Sequence, residues 1–136
     1  MSEFRFRRGE RLKSHQEISR LFGRGSQSIG KYPLRLVWRE MSKRRSLYPV
    51  QFALSVPKKR FKRAVVRNRL RRRIREAWRL HKHELYARLP DDAPQLAWMV
   101  IYVGREEHDY DRIARSMRKL ITQFSESYQA GSTSFK

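Results

Sequence analysis

A run of basic residues in the middle of the sequence holds the side chains best suited to chemistry with an anion. Thirteen of the residues from Lys58 to Lys82 are Lys or Arg, and Glu76 is the only acid among them. Polar residues of this run recur at helical spacing and form one stripe, which consists of Asn68, Arg72, Arg75, Arg79 and Lys82. Arg71 lies beside it. Like charges one turn apart repel each other, and Glu76 is the only partner within the run. The stripe therefore indicates an external polyanion rather than an ordinary solvated face.

The other groups that can take part in catalysis are poorly arranged for it. His81 and His83 lie two positions apart on the same predicted helix, so they point to different sides and cannot share a metal ion. The acids around Asp109 fall where a helix begins, and helix capping explains them better than a metal-dependent nuclease site. We therefore predict no catalytic residue and no metal site that belongs to the protein alone.

The composition predicts one folded, basic domain. The chain has 136 residues, a net charge of +20 and no cysteine, which excludes disulfides and thiolate metal sites. The sequence shows neither a signal-peptide core nor an apolar run long enough to span a membrane, so the expected location is the cytoplasm.

The helix that carries the basic run must also pack against a core. Apolar residues recur at helical spacing on the side opposite the polar stripe, at Val66, Leu70, Ile74, Ala77 and Trp78. The pattern predicts a helix from Ala64 to His83 or slightly beyond, with one face buried and one face basic.

The remaining elements follow from capping, periodicity and turn residues. A capping box at Ser14 and Glu17 starts a short helix that ends at Gly23 or Gly25. A last helix begins near Asp109. Strands are predicted at 26–30, from 34 onward, at 50–56 and at 96–103. The last of these is apolar on both faces, which is typical of a central strand in parallel pairing with the strand before the basic helix.

Phe22 is the aromatic residue best placed for function. Together with Trp38 or Leu36 it would form a wall on which unstacked bases lie. Core packing is the alternative for each of them, and it is favoured for Trp38 because strand aromatics are mostly packing residues.

The segment Ala64–Ala77, which contains Arg67-Asn68-Arg69, closely resembles the protein subunit of bacterial ribonuclease P. The preceding segment Leu54–Lys59 is similar to the strand and Lys-Lys turn of that family, and the resemblance extends over roughly residues 11–125. It implies a single-domain α+β fold, a two-layer sandwich of order αβββαβα like that of the second domain of ribosomal protein S5. It also implies a left-handed βαβ crossover around the basic helix, which sequence pattern alone does not reveal. The expected division is a basic N-terminal segment 1–11, the domain 12–128 and a frayed tail 129–136.

The resemblance implies a role in the hydrolytic removal of the 5′ leader from precursor tRNA. The catalyst would be a large RNA working with Mg²⁺, and the protein would bind both the catalytic RNA and the leader, one copy per RNA, with weak self-association of the free protein as a further expectation. Residues expected to contact the catalytic RNA are Arg67, Asn68, Arg69, Arg71, Arg72, Arg75 and Arg79. Residues expected at the leader cleft are Ile18, Phe22, Leu36, Lys58 and Lys59.

Two positions depart from the family pattern. Many members have aromatic residues where Ile18 and Leu36 stand, so leader stacking would rest on Phe22, with Tyr32 or Trp38 as compensating candidates. Phe61 replaces a small residue in the Lys-Lys turn. The alternative function is a structural or ribosome-associated RNA-binding protein without a role in cleavage. A DNA-binding helix is disfavoured because a helix-turn-helix spacing is absent.

Overall fold

The computed structural model describes residues 5–129, and its elements follow the predicted order. A single 3₁₀ turn at Arg8–Glu10 precedes them. The helices are α1 (His15–Leu21), α2 (Ala64–Tyr86) and α3 (Tyr110–Ser127). The strands are β1 (Gln27–Lys31), β2 (Leu34–Glu40), β3 (Val50–Ser55) and β4 (Leu96–Tyr102). The predicted single-domain α+β fold is confirmed.

The four strands form one mixed sheet in the order β1-β2-β4-β3. β1 pairs with β2 and β2 with β4 in antiparallel fashion, whereas β3 and β4 are parallel. α2 connects the two parallel strands, as the apolar character of β4 predicts. The left hand of this crossover stays a prediction from the resemblance.

α2 and α3 together cover one face of the sheet and enclose the main core. Trp78 of α2 stacks on Phe52 of β3 with ring centroids 4.6 Å apart and the planes 4° from parallel. Trp38 of β2 meets Phe124 of α3 at right angles, with 4.8 Å between centroids. The predicted apolar stripe of α2 is thus confirmed, and Trp38 is a core residue as favoured.

α1 covers part of the opposite face of the sheet, where a smaller cluster includes Leu12, Leu21 and Met99. The Ser14 Oγ accepts a hydrogen bond from the Glu17 amide, at 3.2 Å, which is one half of the predicted capping box. The other half is wrong. The Glu17 carboxylate is buried and instead accepts hydrogen bonds from Arg20, at 2.8 Å, and from the Ser42 hydroxyl, at 2.7 Å.

The N-terminal segment packs against the domain instead of preceding it. The ring of Phe6 lies 5.9 Å from that of Phe52, and the Leu12 amide donates to the Phe52 carbonyl at 3.0 Å. The described residues 5–11 thus cover the outer edge of β3, and the division of the chain at residue 12 stays a prediction. Apart from Gln129, the predicted tail lies outside the described residues.

Lys82 is the one member of the predicted polar stripe that the structure buries. Only 3% of it is exposed, and its ammonium group lies 2.5 Å from a carboxylate oxygen of Glu10, which also accepts from the Tyr86 hydroxyl at 2.6 Å. The prediction that Lys82 faces an external anion is wrong. Near the C-terminal end of α2, the N-terminal segment covers side chains that would otherwise be exposed. The contact between Lys82 and Glu10 joins residues more than seventy positions apart.

We expect Lys82→Met to lower the free energy of unfolding by about 3–5 kcal/mol, since the Glu10 carboxylate is then left buried without its counter-ion. Urea unfolding followed by circular dichroism measures the loss. Lys13→Met, at an exposed position, is the matched control and should change little. If the double variant Lys82→Met/Glu10→Leu loses as much as the two single variants added together, the pair is not coupled.

Glu17 should make the stability depend on pH. Burial alone would raise the pKa of this carboxyl, but the hydrogen bond from Ser42 and the charge of Arg20 outweigh it, and the net pKa is lowered. A lowered pKa contributes stability that is present above the unfolded pKa, about 4.3, and is lost as the pH falls through the folded value. Glu17→Gln should therefore destabilise the protein most near neutral pH, and the difference from wild type should shrink in acid. A pH-independent difference would contradict this.

Candidate nucleic-acid interface

The outward face of α2 carries the cations that are best placed to bind a polyanion. Arg72 and Arg75 are exposed, and neither has a hydrogen-bond or ion-pair partner within the part of the chain that the structure describes. Arg79 is held by Glu76, with 2.7 Å between a guanidinium nitrogen and a carboxylate oxygen. This ion pair lowers the pKa of Glu76, chiefly through the hydrogen bond from Arg79. We call Asn68, Arg72, Arg75 and Arg79 the arginine stripe.

The flanking arginines of the Arg-Asn-Arg motif have partners inside the protein. Arg67 donates to the carbonyl oxygens of Phe61 and Lys62, at 2.7 and 2.8 Å, and so fixes the turn before α2. Arg69 donates two hydrogen bonds to the carboxylate of Glu107, at 2.6 and 2.9 Å. Each guanidinium has five donors, so these contacts leave further N–H groups for a phosphate.

Glu107 lies beyond the basic run and is a partner that the sequence pattern did not reveal. Besides Arg69 it binds Arg73, at 3.1 Å, and the Arg73 guanidinium also donates to the carbonyl of His108 at 2.7 Å. These contacts lower the pKa of Glu107, most strongly through the hydrogen bond from Arg69. Glu76 is the only acid within the basic run, but Glu107 from outside the run also pairs with its arginines. Asn68 accepts a hydrogen bond from Arg71 at 3.1 Å, and both remain at the surface.

A second candidate surface lies between α1 and the sheet. Phe22 directly follows α1 and is 64% exposed, so its ring is accessible to a ligand. On the sheet, the half-buried side chains on the α1 side are Val37, Ala53 and Ile101, and Ile18 of α1 packs against the same cluster. We call this surface the α1 cleft. Ile18 and Phe22 were expected here from the sequence, whereas Val37, Ala53 and Ile101 were not.

Leu36 does not belong to the α1 cleft. It is fully buried in the main core, together with Leu34 and Trp38, because alternate residues of β2 face α2 and α3. The prediction for Leu36 is therefore wrong by one step of the strand, and Val37 occupies the cleft side. Tyr32 is also absent from the α1 cleft, since its carbonyl accepts from Ser116 of α3 at 2.7 Å on the opposite side of the sheet.

Arg39 is a positioning residue that the sequence analysis did not single out. One guanidinium nitrogen donates to the carbonyl oxygens of Arg20 and Arg24, at 3.1 and 2.8 Å, where α1 ends. It thereby fixes the segment next to Phe22 to β2. The signal was its place on the cleft side of the alternating strand. Lys58 and Lys59 are exposed in the turn after β3, and their contact with the leader stays a prediction.

Among the described residues no three His, Cys, Asp or Glu side chains are grouped closely enough to hold a metal ion. Every helix within residues 5–129 is too short or too polar to cross a membrane.

Comparison with known proteins identifies the family. The family model described as Ribonuclease P matches residues 6–125. The ribonuclease P protein component of Porphyromonas gingivalis is 38% identical over 122 residues, which cover 90% of this chain and 88% of that protein. The component from Chlorobium phaeobacteroides is 34% identical over 104 residues, covering 72% and 71% of the two chains.

Solved structures of similar fold carry the same name. The RNase P protein of Staphylococcus aureus superposes with a TM-score of 0.63 at 18% identity, covering 88% of this chain and 98% of that one. The protein from Thermotoga maritima gives a TM-score of 0.63 at 20% identity, covering 84% and 96%. These two likenesses concern the fold, whereas the family model and the relatives concern the sequence itself. Since that model and those relatives span most of its length, the chain belongs to the ribonuclease P protein family and is an RNA-binding subunit of that ribonuclease.

Proposed function

We propose that this subunit binds the ribonuclease P RNA through the arginine stripe of α2 and the single-stranded leader of precursor tRNA through the α1 cleft. In this proposal the RNA, with Mg²⁺, carries out the hydrolysis, and the protein raises the affinity of the complex for substrate and Mg²⁺. One protein binds one RNA in the cytoplasm. The single observation that carries the proposal is the pair Arg72 and Arg75, exposed and unpaired among the described residues on the face of α2 that points away from the core.

The protein carries many more cationic than acidic side chains. The chain has 33 Lys and Arg against 13 Asp and Glu. Arginines on α2 neutralise crowded phosphates and release the counter-ions condensed on the RNA. Phosphates brought together for cleavage then repel each other less, so that substrate and Mg²⁺ bind at lower concentration. Arginine suits this role because its planar fork matches phosphate oxygens and base edges.

The α1 cleft suits unpaired nucleotides for a different reason. Phe22 offers an exposed ring at the end of α1, and half-buried Val37, Ala53 and Ile101 lie on the side of the sheet that α1 partly covers. Stacking of a base on an aromatic side chain contributes about 1–3 kcal/mol and requires no particular sequence. A leader of variable sequence is therefore a ligand that such a surface accepts.

Replacing both free arginines, as in Arg72→Ala/Arg75→Ala, should weaken binding to the ribonuclease P RNA. The slope of log affinity against log salt concentration should become shallower by about 0.7–0.9 for each phosphate contact that is lost. Filter binding at four or five salt concentrations measures both quantities. The control Arg72→Lys/Arg75→Lys keeps the charges, so its salt slope should stay near that of wild type. Because lysine lacks the planar fork of arginine, its affinity should fall between those of wild type and the alanine variant. An unchanged slope in the alanine variant would assign RNA binding to another face.

Phe22→Ala should lower the affinity of the assembled enzyme for precursor tRNA that carries a leader of several nucleotides and leave mature tRNA unaffected. The expected loss is roughly 1–3 kcal/mol if one base stacks on the ring. Leu47→Ala is the matched control, because Leu47 is a large apolar side chain, 93% exposed, outside the cleft. An equal loss for leader-bearing and mature tRNA would remove Phe22 from leader binding.

A further inference from the structure

A separate basic groove lies along the free edge of β1, on the side of the sheet that carries α2 and α3. It has a volume of about 270 Å³ and is lined by Lys31, Tyr32, Arg112, Arg115, Ser116 and Lys119. We call it the β1–α3 groove. Four of these six residues are cations and none is an acid. Neither the arginine stripe nor the α1 cleft includes any of them.

Tyr32 is the exposed aromatic residue of this groove and it is held in place. The residue is 47% exposed, yet its hydroxyl accepts a hydrogen bond from the Arg105 amide at 3.1 Å. Its carbonyl accepts from the Ser116 hydroxyl at 2.7 Å, and the guanidinium of Arg112 lies over the ring, 5.6 Å from the centroid. A ring fixed at both ends loses little entropy when a ligand stacks on it.

The cations of the groove lack partners within residues 5–129. Arg115 and Lys119 have neither a hydrogen bond nor an ion pair there, and the contact of Arg112 is with the ring of Tyr32. These three residues follow one another at intervals of three and four along α3, so their like charges repel in the free protein. Asp111 lies one turn before Arg115 but forms no ion pair with it among the described residues, so the three positive charges are not neutralised along the helix. The arrangement indicates an anionic ligand.

His108 links the groove to α2. The ring of His108 lies 5.5 Å from that of Tyr32, and the carbonyl of His108 accepts from Arg73 of α2 at 2.7 Å. The groove and α2 thus lie on the same side of the sheet. The α1 cleft, which we assign to the leader, lies on the opposite side.

We propose that the β1–α3 groove binds a single-stranded nucleotide of the ribonuclease P RNA. The base stacks on Tyr32, and the adjoining phosphates bind Arg112, Arg115 and Lys119. An exposed aromatic ring beside several cations is the combination that unpaired nucleotides require, because stacking and phosphate neutralisation then act on neighbouring atoms. The proposal rests on the association of this subunit with that RNA and adds a second point of attachment to it.

The first test separates stacking from folding. Tyr32→Leu keeps an apolar side chain but removes the ring, and it should lower the affinity for the ribonuclease P RNA about fivefold or more, the loss of one stacked base. Tyr32→Phe keeps the ring and should bind within about twofold of wild type on the same argument. Thermal unfolding of both variants checks that the fold is intact. Equal affinity of the two variants would overturn the proposal.

The second test distinguishes binding at the groove from an effect of net charge alone. Arg115→Ala should weaken binding and reduce the salt slope by about 0.7–0.9. Arg88→Ala, at an exposed arginine beyond the end of α2 that lines neither the groove nor the cavity beside it, should change the slope less. Equal effects of the two variants would mean that only net charge matters, which contradicts a defined site.

The source of the nucleotide is decided by two further measurements. Chemical probing of the ribonuclease P RNA should show an unpaired nucleotide that wild type protects and Tyr32→Leu does not. If Tyr32→Leu instead weakens only the binding of leader-bearing precursor tRNA, the assignment to the ribonuclease P RNA is wrong. Measuring Arg72→Ala/Arg75→Ala beside these variants keeps the two proposals apart, since loss there with no loss at Tyr32 removes the groove alone.

Discussion

The stack of Trp78 on Phe52 is the contact on which the position of α2 depends. Trp78 is fully buried and also lies near the ring of Trp98, 5.2 Å between centroids, so it joins the helix to both parallel strands. An aromatic pair contributes about 0.5–1.5 kcal/mol beyond the area it buries, and its geometry fixes the rotation of the helix as well as its location. Because Arg72 and Arg75 lie on the other side of the same helix, that rotation decides where they point.

The few acids determine which cations are left for RNA. Glu107 binds Arg69 and Arg73, and Glu10 binds Lys82 across the N-terminal segment. Each of these contacts joins parts of the chain that are distant in sequence, so the acids act as restraints on the fold rather than as general neutralisation. Exposed ion pairs contribute little stability individually, but the buried pair at Lys82 is costly to break. Arg72 and Arg75 of the arginine stripe and the cations of the β1–α3 groove lie outside these restraints.

Periodicity predicted the elements well because each buries a face that the sequence marks. The bounds of α2 and the central place of β4 follow from apolar spacing alone, and the Arg67-Asn68-Arg69 motif identified the family. The errors have one cause, which is contact with distant segments. Lys82 fits the polar stripe by angle, but the N-terminal segment covers it. Leu36 falls on the same side of β2 as Leu34 and Trp38, but the sequence alone does not tell which side of the sheet α1 covers. The sequence does not show on which side of the sheet Tyr32 lies. Only the packing of α3 against it decides this.

The same repulsion that supports the proposed RNA-binding surfaces would link binding to folding. With a net charge of +20, the folded chain brings cations together on α2 and α3 more closely than the unfolded chain does. A polyanion that binds the folded state removes this cost, and any ligand that prefers the folded state stabilises it by mass action. β4, buried on both faces between α1 and the helices α2 and α3, keeps the α1 cleft and the arginine stripe at a fixed separation. The subunit thus presents its two proposed binding surfaces on opposite sides of one sheet, and RNA segments that bind both would be held at a distance set by packing.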